Sequence, residues 1–203
     1  MRYLLFIIFT FIGQLQFINA QVLTQISAEL GSSYDYEEIY IPLNGGCSLG
    51  CAIGWSLSAS STLKPQGENN YFPDNMNDGV KNTAWVEGKS DYGIGEKIII
   101  QFFDHDKSII NVPLRSIGIT NGYAKSVSIW DANSRVRTFR LYQNSTPLYD
   151  IELINSRFPQ WIKFPQPLSI SAGDKLQLEI IEVYPGSKWS DTAISDIAIF
   201  GAH

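Results

Sequence analysis

From Trp55 onward the chain reads with a period of two. Trp55-Ser56-Leu57-Ser58-Ala59-Ser60-Ser61-Thr62-Leu63 alternates apolar and small polar residues, the spacing of a strand with one buried face. The polar stretch Lys64–Asn70 then loops out. Glu96–Phe103 holds Ile98-Ile99-Ile100, dense enough to predict a strand covered on both faces. Leu114–Thr120 follows, with Pro113 at its start, where a missing N–H is tolerated. Arg135–Tyr142, Leu148–Ile154, Gln160–Phe164, Lys175–Val183 and Thr192–Phe200 complete the pattern, with Gly, Pro, Asn or Asp in nearly every gap. No segment carries a long helical period, and no repeat is visible. About eight strands at this spacing predict an all-β jelly-roll β-sandwich.

The first residues follow another rule. Arg2 precedes an apolar run from Leu4 to Ile12, and small Ala20 precedes Gln21. One cation, a short apolar core and a small residue make a signal peptide over residues 1–20, cleaved near Ala20, so a secreted or periplasmic protein is expected. Gln14 and Gln16 interrupt the run before it reaches the roughly twenty residues of a membrane span. Residues 21–46 form a lead-in with the acidic-aromatic run Tyr34-Asp35-Tyr36-Glu37-Glu38 and a candidate edge strand at Ile39-Tyr40-Ile41; the β-domain is expected over 47–203. Cys47 and Cys51, flanked by glycines in an exported chain, are expected to close a small disulfide loop, since two thiolates without further ligands nearby would not complete a zinc shell.

The formal charge of −5 argues against a nucleic-acid partner. Five Trp and ten Tyr suit a β-rich core and equally a surface offering ring faces to a ligand. Catalysis finds little support. The two histidines are His105, inside Phe103-Asp104-His105-Asp106, which reads as a solvated hairpin turn, and the last residue, His203. Glu87, Asp91 and Glu96 could form a carboxylate pair, but nothing marks two of them as matched acid and base. The expectation is a protein that is not an enzyme.

The most informative stretch is Asn75–Glu87. Asn77-Asp78-Gly79 makes a tight turn, and Thr83 and Trp85 then point to one side at strand spacing. An acid, a hydroxyl and loop carbonyls gathered there could cage a hard cation such as Ca²⁺. The residues by themselves fit a polar turn ahead of a core Trp at least as well.

Several motifs together resemble a known family. Ser58–Leu63, Asn75–Trp85 and the closing Ile194-Ser195-Asp196-Ile197-Ala198-Ile199-Phe200-Gly201 look like the discoidin, or coagulation factor 5/8 type C, jelly roll, of the galactose-binding-like fold. Trp85-Val86-Glu87-Gly88, Asn121-Gly122-Tyr123, Asn133-Ser134-Arg135 and Glu182–Lys188 resemble the subgroup fused to some secreted bacterial NAD glycohydrolases, a glycan-binding module. The resemblance runs from Cys47 to Gly201. It implies a structural Ca²⁺ held by Asp78, Thr83, the carbonyls of Asn75 and Lys81, and Asp196; Val80 stands where many relatives carry Asn or Asp. It also implies a glycan partner. Tyr123, Tyr184 and Trp189 could stack on a sugar ring, while Glu87, Asn133, Arg135, Lys188 and Asp191 could bond its hydroxyls. Arg135 and Asp191 could instead pair with each other. Trp55, Trp85, Trp130 and Trp161 are assigned mostly to the core. A protein partner at the cell surface is the alternative; membrane insertion is not expected, because the loops present no apolar cluster with basic residues.

Overall fold

The computed structural model describes residues 23–31, 53–80, 82–104 and 111–201. The expected signal peptide, Ile39-Tyr40-Ile41, Cys47, Cys51, Lys81, His105 and His203 lie outside the described residues.

Eleven strands appear among the described residues: β1 (Thr24–Ser27), β2 (Glu29–Leu30), β3 (Gly54–Ala59), β4 (Trp85–Val86), β5 (Lys97–Phe103), β6 (Val112–Asn121), β7 (Arg135–Gln143), β8 (Thr146–Glu152), β9 (Gln160–Ile170), β10 (Lys175–Tyr184) and β11 (Ala193–Gly201). A 3-10 turn spans Pro73–Asn77, and one short helix among the described residues, α1, spans Val127–Ala132. One sheet has the order β1-β8-β7-β10-β5-β3 and the other β2-β9-β6-β11-β4. This is the all-β sandwich that the alternation predicts.

The alternation places one face of each strand in the core. In β5, Ile98, Ile100 and Phe102 are buried while Ile99 is only half-buried, so this strand has one inner face rather than two covered ones. Ile117, Ile119 and Ile197 from the second sheet meet Leu141, Leu178 and Ile180 from the first in a single cluster. Each such side chain contributes about 1.5–3 kcal/mol on burial. A surface pair such as Lys163–Glu29, with both side chains more than 60% exposed, adds little beside that.

Two prolines explain where the sequence pattern misreads a strand. Gln160–Phe164 was the expected span, yet β9 continues to Ile170 through Pro165 and Pro167. The register steps from Leu114↔Leu168 to Ser116↔Lys163, so both prolines fall in an irregularity where no ladder N–H is required.

The N-terminal strands lie before the resemblance begins but belong to the sandwich. β1 pairs in parallel with β8 and β2 pairs with β9, so this one segment joins both sheets, with Ala28 buried between them.

Candidate functional site

At one end of the sandwich, a second and smaller apolar cluster forms from Tyr71, Ala84, Val86, Tyr123 and Ala193, with Leu63 and Ile129 packed against it. Its upper surface is the floor of a cleft of about 610 Å³. Tyr71 and Tyr123 meet edge to face, ring centroids 6.4 Å apart, and the Tyr123 hydroxyl donates to the Asn82 carbonyl. Gln66 and Asn69 stand on one side, on a turn closed by their reciprocal backbone bonds. Lys125, Ser128 and Asn133 come from the α1 region, and Lys188, Trp189 and Asp191 from the segment after β10.

Two local devices hold these walls. Ser126 caps α1 by accepting a bond from the Ile129 N–H. The 186–191 segment then lies along the end of that helix: Lys188 and Trp189 both donate their N–H to the Ala132 carbonyl, and Ser134 donates its hydroxyl to the Trp189 carbonyl. Gly186 is required by this closeness, since a Cβ there would come within 2.5 Å of the Ala132 carbonyl oxygen. Trp189 emerges half-exposed, with the Lys188 ammonium 4.4 Å from its ring centre.

Five of the eight expected ligand residues therefore meet in the cleft: Tyr123, Asn133, Lys188, Trp189 and Asp191. Three do not line it. Arg135 is buried, its guanidinium 4.2 Å from the Trp130 ring, donating to Asn155 Oδ1 and to the carbonyls of Trp130 and Asn133. It makes no ion pair with Asp191. Burial lowers the guanidinium's pKa, with Asp131 acting in the opposite sense. Beside it, Gly122 takes φ +83°, and a Cβ there would strike both Trp130 and Arg135. Tyr184 sits opposite Arg135 on the neighbouring strand and spends its hydroxyl on the Leu153 carbonyl. Of the four tryptophans assigned to the core, Trp85 is fully buried in it and half-buried Trp55 packs against it, whereas half-buried Trp130 and Trp161 belong to neither apolar cluster.

Glu87 is fully buried. Its carboxylate accepts the Lys89 N–H at 2.7 Å and the Thr192 N–H at 3.4 Å, fastening the 88–95 loop to the strand that follows Asp191. Burial raises its pKa to about 7; those two N–H groups pull it down, and Asp191 and Asp91 push it up. A carboxyl with a folded pKa above its unfolded value of 4.5 binds a proton on folding. Its contribution is complete below that unfolded value and is lost as the pH rises through about 7. Melts of the wild type should therefore show stability falling across that window, and Glu87→Gln should flatten the slope. Equal slopes in the two proteins would show that Glu87 does not titrate there.

Gln66, Asn69, Tyr71, Lys125 and Ser128 complete the cleft but were not among the expected ligands. In sequence, Lys64–Asn70 is only a polar stretch that loops out. The Ser126 cap was the available signal that the 125–133 region forms a wall.

The Asn75–Glu87 loop carries a separate polar arrangement. Asp78 accepts the Val80 N–H at 2.8 Å, and the Thr83 hydroxyl lies 2.9 Å from Asp78 Oδ2. Asn75 uses its side-chain amide on the carbonyls of Asn70 and Ala84, which shapes the loop. Asp196 is buried with its Oδ2 unpartnered, and Thr120, its direct cross-strand neighbour, has an unpartnered buried hydroxyl. Burial raises the Asp196 pKa to about 7, helped by the Asp78 charge nearby. Among the described residues, no three His, Cys, Asp or Glu side chains converge as a metal cluster.

The two sheets, with the cleft at their loop end, form a galactose-binding-like β-sandwich. The chain belongs to the NAD glycohydrolase translocation F5/8 type C domain family, whose model matches residues 51–200. No curated protein sequence matches it. Among solved structures, it is similar to the CBM32-1, CBM32-2 and M60 catalytic domains of Clostridium perfringens ZmpB, with a TM-score of 0.58 at 12% identity over 92% of this chain. It is also similar to a structure of the CBM32-1 and CBM32-2 domains of the same protein, with a TM-score of 0.54 at 12% identity over 91% of this chain. The matches span 17% and 43% of those two chains, and at this identity the likeness is one of fold. No helix among the described residues is long and apolar enough to cross a membrane.

Proposed function

We propose that the protein is a secreted, non-catalytic carbohydrate-binding module whose ligand sits in the cleft over Tyr71 and Tyr123. The observation carrying this reading is the half-exposed Trp189 on the wall of a cleft rimmed by amides, hydroxyls and charged groups. A sugar ring needs that pairing: an aromatic face for its C–H surface and polar groups for its hydroxyls. The CBM32 domains that share the fold agree with it. Trp189→Ala should weaken glycan binding at least roughly tenfold and change the melting temperature little, because the ring is half-exposed and absent from the apolar core. A glycan array followed by titration of the retained glycan measures this. Equal affinity in wild type and variant would move the site elsewhere.

A structural Ca²⁺ is the second part of the proposal. Asp78 and Asp196 would hold it with Thr83, completed by loop carbonyls, including those of Asn75 and Lys81. The unsatisfied Asp196 Oδ2, beside the orphaned Thr120 hydroxyl and within reach of the Asp78 charge, is the observation in its favour. Hard oxygen donors suit Ca²⁺, and the cation would tie the opening loop to the last strand. Val80 would offer the cation its carbonyl, which also accepts from Thr83, and no side-chain oxygen.

A further inference from the structure

We propose that the cleft selects anionic glycans, sugars bearing a carboxylate or a sulfate ester, over their neutral counterparts. The inference rests on the carbohydrate reading above and concerns which hydrogen-bond donors remain free. Asn133 has committed its Nδ2 to the Ile129 carbonyl at 2.8 Å, and Tyr123 has committed its hydroxyl to Asn82. The side-chain amide of Asn69 turns back on the Gln66 carbonyl, and the Ser128 hydroxyl is shared with Ser126. The neutral donors left for a ligand are the Gln66 amide, the Tyr71 hydroxyl, the Trp189 indole N–H and the second amide hydrogens of Asn69 and Asn133; the charged ones are the ammonium groups of Lys125 and Lys188, which alone distinguish an anionic sugar from a neutral one.

Neither lysine has a carboxylate partner. The ion pairs among the described residues join Lys89 to Glu96, Lys97 to Glu179, Arg137 to Glu182, Arg140 to Asp150 and Lys163 to Glu29. Overall charge does not explain this, for the chain carries −5 and still places two unpaired cations at its cleft. Asp191 is the one acid lining it. Lys188 lies over the Trp189 ring, so a sugar against that indole would bring an acidic substituent beside the ammonium. Charge-assisted bonds of this kind favour the charged ligand by roughly ten- to a hundredfold.

The test is an array of matched neutral, sialylated, uronate-containing and sulfated glycans, followed by titration of one matched pair at low and physiological salt. The wild-type chain and Lys125→Gln/Lys188→Gln are compared. The acidic member should bind at least about tenfold tighter, and added salt should shrink that advantage. In the double variant the affinity for the acidic sugar should fall further than that for the neutral one, so that the ratio between them approaches one. Sialylated and sulfated ligands retained alike would show that charge is read; retention of one class would identify which acid is selected. Neutral and acidic sugars bound equally by the wild type would overturn this inference and leave the carbohydrate reading standing. If no glycan is retained, the carbohydrate reading itself fails, and this inference with it.

Discussion

Arg135→Ala is expected to destabilise the fold by about 2–4 kcal/mol, with any loss of ligand binding following from that damage. The Asn133-Ser134-Arg135 motif places Arg135 among the ligand residues, but its side chain is used inside the protein. The guanidinium satisfies two carbonyls at the end of α1 and the Asn155 amide, and it stacks on Trp130. Truncation would strand those acceptors in a buried space and leave a gap beneath the helix that carries Ser128 and Asn133 into the cleft. Arg135→Lys should recover only part of the loss, because an ammonium lacks the planar fork that serves these acceptors together. Urea unfolding of the three proteins measures this. A normal unfolding midpoint for Arg135→Ala, with binding abolished, would return the residue to the ligand site.

Chelation is expected to have an effect of similar size. A cation that binds the native state alone stabilises it by about 2.7 kcal/mol at a hundredfold excess over its dissociation constant. Removing Ca²⁺ should therefore lower the melting temperature by several degrees, and Asp78→Ala should erase most of that sensitivity. Asp196→Asn separates the parts: it removes the buried charge, so the apoprotein should be no less stable while the response to Ca²⁺ is lost. A wild-type melting curve indifferent both to chelator and to added Ca²⁺ would dismiss the cation.

The sandwich was legible because alternation is a direct consequence of strand geometry. Ile98, Ile100 and Phe102 announce an inner face wherever β5 sits in the sheet. The limits lay where a neighbour decides. Pro165 and Pro167 seemed to end β9, because an irregularity in pairing with β6 cannot be seen from one strand. Helix α1 is too short to show a period, although Ser126 marks its start. The site was legible as residue types and only partly as positions. Asn133, Lys188, Trp189 and Asp191 reach the cleft from the expected loops. Glu87, Arg135 and Tyr184 carry equally suitable groups, but each is engaged inside the protein by partners that include a distant segment: the Thr192 N–H, the Asn155 amide and the Leu153 carbonyl. Tyr71 was missed for the converse reason, since its place in the floor depends on Tyr123 arriving from another loop.

The location of the ligand in the cleft is tested most directly by amide chemical-shift mapping with an array-selected glycan. Shifts confined to residues 63–71, 123–133 and 188–191 are the predicted result. Shifts concentrated on the opposite end of the sandwich, or on the outer face of either sheet, would contradict it.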